Sequence, residues 1–420
     1  MGKMLIKNAK ALLGVREDAV SFVAGSAMKN LPRIEDGWLA IEDGCIVDFG
    51  DMASWPGISD WRDLEIIDAS GRFVLPAWCD SHTHIVYAGS RVSEFVDRIH
   101  GLSYEEIAAR GGGILNSADR LRKASEQELI ESALYRLDTV RQSGTCAIEI
   151  KSGYGLDLES ELKMLRVIQQ LKSLQPLAIR ATFLGAHAVP REFAGKPDQY
   201  LNLIIDEMMP AIAAERLADY VDIFCEVNYF NVDHTHRLLE AASKFGLQAK
   251  THVNQFNAIG GVAASVQHGA RSVDHLEVLN EDDLEALAGS QTMPVALPGC
   301  SLFIQIPYTP AREIIDRGLP LALATDFNPG SAPSGNMNLV NSLACMRMRM
   351  TPEEVIHAST QNGAYAMGLE NEYGSIERGK QAALIITRQL ESVGEMMYSF
   401  GQSPIERMIL PHETKNNKEM

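Results

Sequence analysis

From Arg72 to about residue 371, short apolar runs alternate with segments whose apolar positions recur every three and four residues. No other feature of the chain constrains its fold as much. The runs are Phe73–Trp78, Thr145–Ile150, Ile179–Leu184, Tyr220–Phe224, Leu247–His252, Ser272–His275, Met293–Leu297 and Leu321–Asp326. Between them, Ser125–Gln142, Glu159–Ser173 and His236–Phe245 carry helical periodicity. Strands separated by helices pair in parallel. About eight of them over roughly 300 residues suit a closed (β/α)8 barrel. An open doubly wound sheet would carry a glycine-rich nucleotide loop after its first strand, and none is present.

The two ends read differently. Residues 3 to 75 are short apolar runs broken by turns, with Trp38–Phe49 reading as a hairpin about Asp43-Gly44. After residue 371 the pattern turns back to β, as in Ala382–Thr387. The expectation is an α/β protein: a TIM-like barrel over residues 74–371, beside a small β-sandwich domain built from residues 1–73 and 372–420. The polar tail Glu413–Met420 is expected to fray.

Of the residues, 46% are hydrophobic and 22% charged, which sets disorder aside. A net charge of −17 with no Lys/Arg block excludes a surface that tracks a phosphate backbone. It leaves an anionic small molecule open, since one buried arginine can hold a carboxylate. The six cysteines are scattered without a C-x-x-C pair and read as reduced core residues. With no cleavable leader pattern and no apolar run long enough for a membrane span, a soluble cytoplasmic protein is expected, with no membrane or nucleic-acid partner. A homodimer is expected on frequency alone.

Polar residues with metal affinity fall at the C-terminal ends of the strand-like runs, the face of a parallel barrel that carries active sites. Residues two apart on a strand share a face, so His82 and His84 can point together into the barrel mouth. His252 ends another run and Asp326 ends the last. Three imidazoles and one carboxylate suit Zn2+ or iron and not Ca2+ or Mg2+. A second H-x-H, His234-Thr-His236, follows Asn231 and Asp233 and opens a helix, where residues two apart diverge by about 200°. Surface and capping roles are expected for that pair.

With these segments in view, the chain resembles the amidohydrolase superfamily along nearly its whole length. The likeness is carried by Asp80-Ser-His-Thr-His-Ile-Val-Tyr-Ala-Gly-Ser-Arg91, Ala109-Arg-Gly-Gly-Gly-Ile114, Glu149-Ile-Lys-Ser-Gly-Tyr-Gly155, Leu184-Gly-Ala-His-Ala-Val-Pro190, Ser272-Val-Asp-His-Leu-Glu277 and Ala324-Thr-Asp-Phe-Asn-Pro-Gly330. H-x-H marks only the superfamily. The Lys-Ser-Gly-Tyr-Gly and Asp-x-Asn-Pro-Gly segments resemble the branch that opens the ring of 4-imidazolone-5-propanoate to N-formimidoyl-L-glutamate in histidine degradation. The resemblance implies one Zn2+ or Fe2+/Fe3+ per subunit on His82, His84, His252 and Asp326. It implies substrate contacts from Arg91, Tyr154, His187, Asn328, Gly330 and Ser331.

An arginine fork suits a propionate tail, and Tyr154 and His187 are expected to donate hydrogen bonds to the ring or carboxylate. Asn328 and the backbone of Gly330 are expected to complete the tail pocket. His275, after Asp274 at its strand end, is expected to move a proton or stabilise an oxyanion. Many superfamily hydrolases carry Glu three residues after the third ligand histidine, where this chain has Gln255, and an amide does no acid/base work. Gln255 is therefore expected to touch substrate, and proton transfer falls on His275 and Asp326. The same exchange weakens the runner-up, an aminohydrolase acting on a purine- or pyrimidine-like ring. Carboxylation of Lys151 to bridge two ions, and a barrel that binds a metal without catalysis, are the remaining alternatives.

Overall fold

The computed structural model describes residues 2–60, 62–102, 106–107, 110 and 112–411. The expected frayed tail, and Ala109 and Gly111 of the glycine-rich segment, lie outside that range.

Five strands come from the first 76 residues: β1 (Lys3–Leu13), β2 (Arg33–Glu42), β3 (Cys45–Asp51), β4 (Leu64–Asp68) and β5 (Arg72–Pro76). The β2–β3 hairpin turns at Asp43 and Gly44, both at positive φ (50° and 83°). That is the backbone a tight hairpin requires and the reason Asp-Gly marks it. Eight strands follow in a parallel sheet: β6 (Trp78–Thr83), β7 (Thr145–Lys151), β8 (Ala178–Ala186), β9 (Tyr220–Cys225), β10 (Gln248–Val253), β11 (Ser272–His275), β12 (Met293–Ala296) and β13 (Ala322–Leu323). Two more, β14 (Leu384–Gln389) and β15 (Ile405–Ile409), return to the first sheet. There β14 pairs antiparallel with β5, so both chain ends share one seven-stranded sheet. That sheet bends over an apolar core of its own, including Ile6, Leu12, Leu39, Ile41, Val74 and Leu384.

The apolar run Phe73–Trp78 belongs to two sheets. Pro76 has no N–H to continue a ladder, and the chain crosses at Ala77 from β5 in the outer sheet to β6 in the barrel. His82 therefore lies within β6 and His84 just beyond it. Helices cap in the expected way: Ser125 and Glu128 form a capping box before Glu126–Gln142, and Asp157 caps Leu158–Leu174.

The barrel closes beyond β13, whose ladder is only two residues long. The Asp326 N–H donates to the His82 carbonyl (3.0 Å) and the His84 N–H to the Phe327 carbonyl (2.9 Å). Asp80 seals the same seam by accepting from the amide and hydroxyl of Thr325 (2.9 and 2.6 Å). The hydrogen bonds that shut the barrel thus set Asp326 beside the H-x-H pair. Among the described residues no helix is long and apolar enough to cross a membrane.

Candidate active site

Four acceptor atoms converge at the C-terminal mouth of the barrel. Nε2 of His84 lies 3.3 Å from Nε2 of His82 and 3.4 Å from Nε2 of His252. Oδ1 of Asp326 lies 3.5 Å from Nε2 of His82 and 3.6 Å from Nε2 of His84. All four side chains are buried. Carboxylates behind the rings fix two tautomers: Nδ1 of His82 is 2.7 Å from Oδ2 of Asp274, and Nδ1 of His252 is 2.9 Å from Oδ2 of Asp222. With Nδ1 of each ring facing a carboxylate, both Nε2 atoms present lone pairs toward Nε2 of His84, and that of His82 toward Asp326 as well. Burial, reinforced by nearby Lys151 for His82 and by His187 for His84, holds both imidazoles well below their usual pKa. Neutral rings whose lone pairs face a carboxylate repel unless a cation lies between them. Donors ~3.4 Å apart are spaced as on a tetrahedral ion with ~2.1 Å bonds. The residues fit a metal ion.

The layer below has the complementary charge. Lys151 pairs with Glu149 (2.7 Å), Asp222 (2.8 Å) and Asp274 (3.4 Å), and Lys250 with Glu149, all fully buried. Two ammonium groups face three carboxylates, and Asp326 adds a further negative charge that a divalent ion would balance. Although burial disfavours its charge, Lys151 is held further toward the ammonium form by these acids. A carbamate on Lys151 would add a negative charge among three carboxylates, so the bridging reading is set aside.

The residues expected to touch substrate line one pocket with this cluster. Arg91 donates from Nε to Ser117 (2.9 Å), lies 3.9 Å from Glu94, and keeps Nη2 without a hydrogen-bond partner among the described residues. Gly330 makes room for it, since a Cβ there would collide with Nη1 of Arg91. The Gly330 amide donates inward to Oδ1 of Asn328 (2.7 Å), which also accepts from the Ser331 amide (2.8 Å). Nδ2 of Asn328 donates to the Asp326 carbonyl and the Ser331 hydroxyl (both 2.7 Å). In this structure Asn328 spends its polar atoms organising the 326–331 loop, and Gly330 contributes space, unlike the expected tail contacts. Ser331 reaches Oδ2 of Asp326 (3.3 Å).

His187 also differs from expectation. Its Nδ1 lies 3.0 Å from the Gly153 carbonyl and must donate there, leaving Nε2 as an acceptor. Burial, with His252 nearby, pushes it down to about 3. It stacks on His84 at 5.3 Å, and Tyr154 tilts against it at 5.4 Å. Gln255 directs Nε2 toward Sγ of Cys300 (3.5 Å). The His275 ring lies 5.6 Å from His82 and 5.4 Å from His252, with Nδ1 3.4 Å from Oε1 of Glu277. Burial, the largest influence, works against its protonation, but Glu277, Asp326 and Asp274 together outweigh it and the net shift is upward. Its backbone is strained, with φ 90° at His275 and 63° at Leu276, and Thr309 holds the His275 carbonyl at 2.7 Å.

His234 and His236 lie outside this pocket. His234 completes a capping box with Asn231, and Nδ1 of His236 is 2.9 Å from Nε2 of His268. Sequence reasoning missed Asp222, Asp274, Ser117, Glu277 and Cys300. Asp222 and Asp274 had a readable signal, acids inside otherwise apolar strand runs. The partners of Arg91 and His275 come from distant segments and had none.

A parallel barrel with a buried three-histidine, one-carboxylate cluster at its C-terminal mouth defines the class of metal-dependent hydrolases. Residues 123–397 match the amidohydrolase family. The chain is 58% identical to an imidazolonepropionase of Christiangramia forsetii over 97% of this chain and 98% of that protein. It is 57% identical to one of Flavobacterium johnsoniae over 97% and 98%. The fold is similar to that of 5-methylcytosine deaminase from Klebsiella pneumoniae, with a TM-score of 0.73 at 17% identity, covering 97% of both chains. The chain therefore belongs to the amidohydrolase family and, within it, to the imidazolonepropionases.

Proposed function

We propose that this chain hydrolyses the ring C–N bond of 4-imidazolone-5-propanoate to give N-formimidoyl-L-glutamate, using one Zn2+ or iron ion held by His82, His84, His252 and Asp326. One observation carries the reading: Nη2 of buried Arg91, without a hydrogen-bond partner among the described residues, shares a pocket with His84, His252 and Asp326. A ring with an anionic tail can span both. When bound, the ion supplies Lewis acidity, making water a competent nucleophile near neutral pH and drawing electron density from a carbonyl.

The side chains divide the remaining work. Arg91 takes the propionate, and Tyr154 and Nε2 of His187 orient the ring through complementary hydrogen bonds. Asp326, steadied at Oδ2 by Ser331, takes the proton of the attacking water and returns it to the leaving nitrogen. His275, oriented by Glu277 and Thr309, stabilises charge on the carbonyl oxygen and moves the second proton. Gln255 contacts the ring without exchanging protons. The barrel acts as the catalytic domain, its expected start at residue 74 moved to the crossing at Ala77, with the strands of both chain ends as its composite β support. Six free cysteines support a reducing cytoplasmic setting, and a homodimer remains our expectation.

The test is to incubate metal-loaded protein with freshly made imidazolone propionate and follow loss of ring absorbance, beside a cyclic ureide and an aminopurine. Turnover of the imidazolone alone is expected. Turnover of the aminopurine instead would overturn the assignment.

A further inference from the structure

His275, Glu277 and Cys300 form a second cluster of ligand-type side chains next to the first. Their ligating atoms lie within 4.8 Å of one another, and all three residues are buried. Nδ1 of His275 and Oε1 of Glu277 are 3.4 Å apart, close to the separation of two donors on a tetrahedral ion with ~2.1 Å bonds. The carboxylate is incompletely used. Oε1 holds only long contacts, from Nδ1 of His275 (3.4 Å) and the Ser301 hydroxyl (3.3 Å), and Oε2 has no partner among the described residues. A buried carboxylate oxygen left without a partner is costly. The donor set is thiol, imidazole and carboxylate, which suits Zn2+ or Cd2+ and not Mg2+. Access runs through the active-site pocket, which His275 and Gln255 both line.

We propose that His275, Glu277 and Cys300 are a second, inhibitory site for a thiophilic divalent ion, filled only once the first site is satisfied. The order follows from geometry. The first cluster brings four donor atoms together, whereas the second offers three, two of which already contact each other. Filling the second site sends the Cys300 thiol proton to solvent and the His275 Nδ1 proton to Nε2, forms bonds from the ion to Nδ1, Sγ and a Glu277 oxygen, and breaks the His275–Glu277 contact. His275, its Nδ1 held by the ion, then no longer has the freedom to serve the reaction. The inhibitory half of this claim rests on the role given to His275 above, while the binding half does not.

The experiment separates the two halves. Protein carrying one equivalent of zinc is titrated with cadmium while the ultraviolet thiolate-to-cadmium charge-transfer band, ion content after desalting and turnover are recorded together. The expected result is a second ion per chain, a band that grows with it, and turnover falling at least ~10-fold in step. In Cys300→Ser, and in Cys300→Ala should the first variant fold poorly, the band is expected to be lost and the inhibiting concentration to rise at least ~10-fold. A single bound ion at cadmium excess, or an unchanged band in both variants, overturns the site. A Cys300-dependent band with turnover unchanged overturns inhibition and the role of His275, whether or not the imidazolone assignment holds.

Discussion

His82, His84 and His252 bring their Nε2 atoms to within 3.4 Å of a neighbour inside the barrel mouth, while His236 brings Nδ1 to 2.9 Å from Nε2 of His268 on the outside. Residue type and separation are nearly the same in the two groups. What differs is everything behind the rings. Asp274 and Asp222 lie behind the rings of His82 and His252, burial keeps His82 and His84 neutral, and barrel closure adds the Asp326 carboxylate. His236 and His268 are half-exposed and can satisfy each other with one shared hydrogen, so no ion is required. A histidine cluster becomes a metal site when its lone pairs are forced together, and here carboxylates behind the rings do the forcing.

The comparison breaks first at the inner cluster. His84→Ala is expected to lower bound metal well below one ion per chain and to reduce turnover by about 10^3-fold or more, read by elemental analysis and steady-state kinetics. Full turnover in this variant would mean that the cluster is not the catalytic centre. Next come two residues that share the pocket but not the ion. His275→Ala is expected to lower kcat by roughly 10^2-fold or more with little change in KM, whereas Arg91→Ala is expected mainly to raise KM, by about 10- to 100-fold. The opposite split would exchange their roles.

A third environment sharpens the contrast. His357 is buried away from the site, with Nε2 3.0 Å from the Asn30 carbonyl, and burial lowers it from 6.5 to about 4. Its neutral form is favoured in the folded state. The stability it contributes is therefore complete above pH 6.5 and is lost as pH falls toward 4. The loss is expected to be on the order of 3 kcal/mol, and His357→Gln should flatten it in unfolding free energies measured across that window. The smallest effect belongs to the outer pair: His236→Ala is expected to change stability by no more than about 0.5 kcal/mol and leave metal content and turnover alone.

Much of this arrangement was legible in the sequence because the four converging side chains sit where local pattern and barrel geometry agree. His252 ends a plain apolar run, and His234 follows a capping Asn231. Other parts depend on long-range contacts that periodicity cannot carry. The run Phe73–Trp78 splits between two sheets although its alternation is continuous, and only Pro76 marks the crossing. His187 turns out to be an acceptor because the Gly153 carbonyl, 34 residues away, claims its other nitrogen. Asn328 spends its polar atoms on its own loop for a similar reason.

The most direct test is a crystal of the purified protein examined by anomalous scattering at the zinc and iron edges. The account predicts a strong peak about 2.0–2.2 Å from Nε2 of His82, His84 and His252 and from a carboxylate oxygen of Asp326. A peak between His236 and His268 instead, or none in the barrel mouth of an active preparation, would contradict it.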